Sequence, residues 1–415
     1  MQYISLILLK FLDSIWNISG AVIRLFQQKE KLNLFKIEEI VIHRADRLGD
    51  AVLSRPFLQA MIEYFRWLGW QGRITLLVSS YNAVLLEPLE TLSNVKIKTI
   101  RTGDFTQYDR SIARAIRNFI QTIQKYKDRI LTKTKSNTLC IDLVDSVSEM
   151  SLQNIYDYRS AFWASSNRWP FSILFNRTMK YRFAGSSDIN LIESYILLIE
   201  EIFDLPGFRQ AIESRGDLFY PKGIPPIVRT LLIHVGVKEI RNFEPHIWKS
   251  LLEEISEKFS GYRIEVVDLS GSTVLSYLRH TRIWRPNVVF RELNFSLQEF
   301  MEYAKRFSLV IGIDGGGINM IRSLTNSLTI FTFWNAAVWS AYRIGKAVGH
   351  TKLGNGWILD KIHVREDRTM YTLRKKSFWL PSFQIPFRRS FVSDLPVKEF
   401  VRDLYSSVVS FQRDS

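Results

Sequence analysis

Two doubly wound α/β domains are the fold this 415-residue sequence predicts, and three observations predict it. Short β-branched apolar runs alternate with stretches of helical period, the pattern of parallel strands joined by crossover helices. The alternation stops at a proline-rich junction, "YPKGIPPIVR" at 220–229, and then begins again. Turns rich in glycine or charge follow directly on strands in both halves, where open parallel sheets hold their ligands.

The chain begins with "MQYISLILLKFLDSIWNISGAVIRLF", which drawn as a helix puts Lys10, Asp13, Ser14, Asn17 and Arg24 on one narrow stripe. Leu8, Leu12, Ile15, Trp16, Val22 and Phe26 cover the rest. No basic residue precedes the apolar run and no small-residue cleavage site follows it, which argues against a secretory signal. The three charges break up any membrane-spanning stretch. Residues 1–36 are therefore expected to form an amphipathic helix lying in the plane of a membrane, with Lys29, Lys31 and Lys36 meeting anionic headgroups. A helix docked on its own domain is the alternative.

The first domain is expected over 37–220. "IEEIVIHR" reads as a strand, "DAVLSRPFLQAMIEYFRWLG" as a helix and "RITLLVSS" as the next strand, which makes one βαβ unit. A basic amphipathic helix over Ile112–Leu131 leads to the strand "TLCIDLVD". The aromatic stretch from Asn154 to Phe183 reads as a long surface excursion, and "DINLIESYILLIEEIF" restores the helical period. The second domain, over 221–360, alternates "TLLIHVG", "HIWKSLLEEISEKF", "YRIEVVDLSG", "SLQEFMEYAKRF", "SLVIGID", "INMIRSLTNS" and "LTIFTFW". Residues 361–415 form an extension whose last helix is expected to pack back on the N-terminal domain. Two Rossmann-like domains facing each other would enclose a cleft.

Composition narrows the function. With 46% hydrophobic and 23% charged residues the chain is globular, and its net charge of +15 favours anionic partners: nucleic acid, anionic lipid or phosphorylated small molecules. The cations cluster separately, near 29–36, 110–135 and 365–389, not as one basic face with interleaved aromatics, so nucleic acid is not expected. A single cysteine, Cys140, rules out an internal disulfide framework, and no Cys/His spacing suits a metal. Neither a metal nor a cofactor is predicted.

Two turns carry the chemistry. In "SLVIGIDGGGINMIRSL" a strand ends at Asp314 and Gly315, Gly316 and Gly317 lead into a helix. The free amides of such a helix start hold a diphosphate, and Asp314 suits sugar hydroxyls; a tight turn with a capping Asp is the plainer reading. In "RADRLGDAVLSRPFLQAM" the turn after the first strand delivers Asp50 to a helix start, where it suits an N-cap or a general base. Arg44 and Arg47 beside it would balance its charge or contact a phosphorylated acceptor. In "HVGVKEIRNFEPHIW", Lys238 and Arg241 follow a strand, placed to neutralise a leaving phosphate.

These motifs, in this order, resemble those of glycosyltransferase family 9, the heptosyltransferases, over about residues 38–345. "RADRLGDAVLSRPFLQA" is similar to the family's R-x(n)-GD-x(n)-TxP helix start, "HVGVKEIRNFEPHIW" to its HPG and KRWP segment, and "DGGGINMIRSL" to its DSGPMHLAAAL loop. The resemblance implies a GT-B fold, with an acceptor domain before a nucleotide-sugar domain. It implies that Asp50 is the catalytic carboxylate, that Arg241 stands in for a lysine near the sugar phosphates, and that Asp314, Gly315, Gly316, Gly317 and Asn319 meet the donor. Asn319 stands where the family has a histidine, and "FTFWNAAVWSAY" lacks the family's GPTDP-like loop. The expected activity is a metal-independent inverting transfer from a nucleotide sugar, ADP-heptose-like or other, to lipopolysaccharide or another cell-surface glycan. The expected setting is peripheral, on the cytoplasmic face of the inner membrane. A non-catalytic nucleotide-sugar-binding or scaffold protein of envelope assembly is the alternative.

Overall fold

The computed structural model describes residues 30–44, 48–100, 137–143, 161–165, 176–178, 191–219, 229–236, 243–268, 273–281, 285–313, 316–324, 329–334, 346–365, 368–375 and 395–414. The expected helices over 1–29 and Ile112–Leu131 lie outside them. Two compact units divide between Arg215 and Gly216, five residues before the boundary expected from the sequence.

In the first unit, β1 (Glu39–Arg44), β2 (Arg73–Ser79), β3 (Val95–Ile100), β4 (Thr138–Asp142), β5 (Phe162–Ser165) and β6 (Arg177–Thr178) form one sheet, ordered β3-β2-β1-β4-β5-β6. Every pairing is parallel. Strands buried on both faces read as continuous apolar runs, and β1 is buried from Ile40 to Arg44. Helix α1 (Leu48–Trp67) follows β1, and α2 (Ser80–Leu86) follows β2, capped by the Ser79 hydroxyl accepting from the Asn82 amide. Helices α3 (Leu191–Ile202) and α4 (Phe208–Glu213) close the unit. Phe57 of α1 meets Tyr195 of α3 at 5.3 Å and Phe208 of α4 at 6.5 Å, and Phe65 meets Phe203 at 5.9 Å, all buried. These ring pairs add to the area each aromatic buries.

Within the aromatic stretch at 154–183, the described residues 161–165 and 176–178 are not a surface excursion. They supply β5 and β6, and Ala161, Phe162, Trp163 and Ala164 are buried. Bulky rings read as irregular text because a short inner strand needs no polar alternation.

In the second unit, β7 (Thr230–His234), β8 (Arg263–Asp268), β9 (Val288–Glu292), β10 (Leu309–Ile313) and β11 (Thr329–Trp334) are parallel. Beyond β11 lie β14 (Arg368–Lys375), parallel to it, then β13 (Trp357–Arg365) and β12 (Lys346–Lys352), each antiparallel to its neighbour. The order is β12-β13-β14-β11-β10-β7-β8-β9. The crossovers include α5 (Pro245–Lys258), α6 (Thr273–His280), α7 (Leu297–Ala304) and α8 (Gly316–Leu324). Helix α7 begins with a full capping box between Ser296 and Glu299.

Two expectations are corrected here. Residues past 360 are not an appendage, because β13 and β14 extend the sheet and Tyr371 and Leu373 are buried in its core. The last helix, α9 (Val397–Asp414), expected on the N-terminal domain, packs on α5 of this same unit. Phe400, Val401, Leu404 and Val408 join that core, and Tyr405 stacks edge-on against Phe259 at 5.1 Å. An amphipathic helix buries its apolar face against the nearest unfinished core, here the outer side of α5.

Candidate functional site

Each sheet reverses its strand order at one point, and ligands of open α/β sheets sit outside the carboxyl ends of the strands there. In the first unit the chain steps from β1 outward to β2 and β3, then returns to the other side as β4. In the second it steps from β7 to β8 and β9, then returns as β10.

At the β1/β4 point the strand ends are tied together. His43 and Asp142 are register partners, and the imidazole Nδ1 lies 3.1 Å from the Asp142 carboxylate, both side chains 1% exposed. A carboxylate oxygen accepts, so Nδ1 donates. The neighbouring Arg44 donates to the Leu143 carbonyl and lies 5.8 Å over the Tyr195 ring, wholly buried. The sequence expects it to balance the charge of Asp50 or to contact a phosphorylated acceptor, and the structure places its guanidinium in the core. It is the last residue of a strand covered on both faces, and its guanidinium turns inward over α3. Asp50 is the third residue of α1, in the first turn of a 20-residue helix. The amides of that turn have no intrahelical acceptor and favour a carboxylate beside them. Arg47 lies outside the described residues.

The β7/β10 point is differently made. His234, last residue of β7, is 1% exposed, and neither ring nitrogen has a hydrogen-bond partner. Its imidazole lies 5.8 Å from the Phe300 ring of α7. On its other side is α8: a Cβ placed on Gly317 would come within 2.7 Å of His234 Nε2 and 2.8 Å of Cε1. Gly317 is therefore required by the imidazole seated against it, whatever else its amide does. Gly312 of β10 has a parallel duty, since a Cβ there would come within 2.6 Å of the Ile318 side chain, so glycine lets α8 lie close on the strand. Burial pushes the His234 pKa down to about 4, against a smaller upward pull from Asp268.

Asn319, the fourth residue of α8, is 5% exposed, and its Oδ1 also has no partner. Gly316 and Gly317 are the first two residues of α8, half-buried and with amides that have no helical acceptor. The structure thus brings together, at one helix start, Gly316, Gly317, Asn319 and a histidine that sequence reasoning passed over. The signal for His234 was there: a polar ring ending an otherwise apolar strand, directly before the basic loop. Lys238, Arg241, Asp314 and Gly315 lie outside the described residues. Among the described residues no group of three His, Cys, Asp or Glu could hold a metal ion.

The class that fold and site define is a protein of two Rossmann-like units, the second with a helix start open at its switch point. No protein-family model matches the chain, and no curated protein matches it in sequence. Among solved structures it is similar to the E. coli ADP-heptose lipopolysaccharide heptosyltransferase II, at 10% identity and a TM-score of 0.48, over 91% of this chain and 100% of that one. It is similar to a glycosyl transferase family 9 protein from Veillonella parvula DSM 2008, at 12% identity and a TM-score of 0.44, over 74% and 82%. It is also similar to the E. coli heptosyltransferase WaaC with ADP, at 13% identity and a TM-score of 0.42, over 71% and 86%.

Proposed function

We propose that this chain is a metal-independent inverting glycosyltransferase, taking a sugar from a nucleotide-sugar donor, ADP-heptose-like or other, to a lipopolysaccharide or other cell-surface glycan. One observation carries the reading: two buried polar side chains, His234 and Asn319, have unpartnered atoms at the first turn of α8, at a switch point. Buried polar groups without partners are costly, and a helix start with free amides is a site for an anion. A diphosphate accepts from the Gly316 and Gly317 amides, and the donor's hydroxyls are candidates to donate to the Asn319 Oδ1.

In the transfer the acceptor hydroxyl oxygen attacks the anomeric carbon and the bond from that carbon to the phosphate oxygen breaks. The hydroxyl proton goes to Asp50, and the leaving nucleoside diphosphate takes the negative charge. Arg241, Lys238 and the α8 amides stabilise that charge, and Asp314 holds sugar hydroxyls. The setting we propose is the cytoplasmic face of the inner membrane, with residues 1–36 as anchor.

Calorimetric titration with ADP, UDP and GDP tests the site. Valine at Gly316 adds bulk where a phosphate would approach the amides. Binding of one nucleotide by the native chain, lost in Gly316→Val with unchanged circular dichroism, is the expected result. Retained affinity in a folded Gly316→Val protein overturns it. Binding with no transfer to any glycan acceptor would instead assign the non-catalytic alternative.

A further inference from the structure

The two most exposed large apolar side chains among the described residues are Trp67, 77% exposed, and Phe35, 65% exposed. Both belong to one end of the first unit. Phe35 sits in the short 3-10 turn Leu34–Lys36 just before β1, and Trp67 is the last residue of α1, which runs back along the sheet to that same end. The segments that carry them are stitched together, since the Trp70 indole donates to the Ile37 carbonyl at 2.7 Å and the Arg73 amide to the Glu38 carbonyl at 2.9 Å. Leu34 beside Phe35 and Phe65 beside Trp67 are buried, so each exposed ring stands outward from a rigid base.

Residues 30 and 32, just ahead of Phe35, are bonded into the same unit. The Leu32 amide donates to the Ile202 carbonyl at 2.8 Å, and Arg177 Nη2 donates to the Glu30 carbonyl at 2.7 Å. The sequence ahead is the segment with the wide apolar face and narrow charged stripe. Cations flank the exposed rings, with Lys31 and Lys36 exposed and Arg66 half-buried. Asp204 pairs with Lys31 at 3.7 Å, and Glu38 accepts from Asn137.

We propose that this end of the first unit is a membrane-docking face, on which Trp67 and Phe35 enter the interfacial layer of an anionic bilayer while Lys31, Lys36 and Arg66 meet its headgroups. It rests on the membrane setting of the preceding section, not on the transfer chemistry. The physics is that of an interfacial aromatic with adjacent cations: the rings gain by leaving water, and the charges hold the face to an anionic surface. Anchoring by one amphipathic segment alone leaves the body of the protein free to pivot; a second contact on the folded unit fixes which end faces the lipid.

Flotation of the full chain with vesicles of phosphatidylcholine and phosphatidylglycerol is the test. The variants are Trp67→Glu, Phe35→Ser and both together, with Tyr277→Ser, an exposed ring of the second unit, as control. Each of the two rings is expected to weaken partition about tenfold, as follows from one exposed aromatic returned to water. The control is expected to float like the native chain. If the native chain does not float, the membrane setting itself fails. If it floats and the double variant floats equally well, this face is overturned while the anchor stands. A change in sedimentation without a change in flotation would overturn it too, giving the face to a second copy of the chain. Trp67→Phe, which keeps an apolar ring, is expected to partition within about threefold of native, as a smaller change in buried area predicts. Both rings stand in solvent, so circular dichroism is expected to stay native throughout.

Discussion

The two switch points are built on the same plan and finished differently. Each has a histidine at or next to the end of its central strand: His43 in β1, His234 in β7. His43 is bonded to Asp142 across to the returning strand, and beside it Arg44 reaches the Leu143 carbonyl. His234 has no hydrogen-bond partner for either ring nitrogen and faces a helix start that carries glycine where any side chain would collide with it. What the difference teaches is where to look for ligand. At the first point the His43 Nδ1 and Arg44 donors are bonded within their own strands and only His43 Nε2 of that imidazole is left over in the core, so the chemistry proposed there falls to the first turn of α1. The second leaves polar groups unspent.

The sharpest way to break that division is Asp50→Asn. Turnover should fall by about two to four orders of magnitude while the nucleotide still binds the second unit with native affinity, measured by single-turnover kinetics beside calorimetry. Loss of affinity instead of rate would erase the separation of roles. Next in size, Asp142→Ala should cost about 3 kcal/mol by chemical denaturation, because it leaves the buried His43 Nδ1–H without its acceptor. A loss below about 1 kcal/mol would mean that the β1/β4 point is no more tied than the other.

The acid limb of stability sharpens the comparison from the other side. His234 takes a proton near pH 6.5 when unfolded but only near 4 when folded, so between those values the unfolded state holds more protons. Stability is expected to fall by about 3 kcal/mol as pH drops through that window, with no contribution from this group above it. His234→Phe, which fills the space without titrating, should flatten the limb in denaturant melts taken from pH 7 to pH 4. An unchanged limb would mean that the imidazole finds a partner in solution. The smallest expected effect is Gly317→Ala, about 1–3 kcal/mol, from a methyl pressed on the imidazole. His234→Ala should relieve much of it, and strict additivity in that double-mutant cycle would deny the contact.

The central strands of both sheets and the longer helices beside them were legible because hydrophobic period reports burial directly. The predicted strand in "SLVIGID" is Leu309–Ile313, and the helix in "HIWKSLLEEISEKF" begins one residue earlier, at Pro245. Three classes of feature were not. The strands β3, β5, β6, β9, β12, β13 and β14 escaped because they lie toward the sheet margins, where a strand carries less of the continuous apolar run that marks a central one. The docking of α9 on α5 escaped because an apolar face does not name the surface that receives it. Of the candidate site, the glycines and Asn319 were legible as a motif, but the duty of Gly317 was not, since it depends on His234, far away in sequence. Arg44 is a related case: a charged residue closing a strand does not show in sequence which way it turns, and only packing places it over Tyr195.

The seat of α9 also bears on how the protein is made. Residues 397–414 complete the core around α5, Phe259 and Trp357, so the second unit cannot close until nearly all of it has left the ribosome. The first unit is whole at Arg215, and at translation rates of about 5–20 residues per second it has roughly ten seconds or more to fold alone. During that interval its sheet matures while the second unit still lacks the helix that packs on α5. A nascent chain halted before residue 397 should therefore present one protease-resistant unit and one open apolar surface, the kind of surface a chaperone holds.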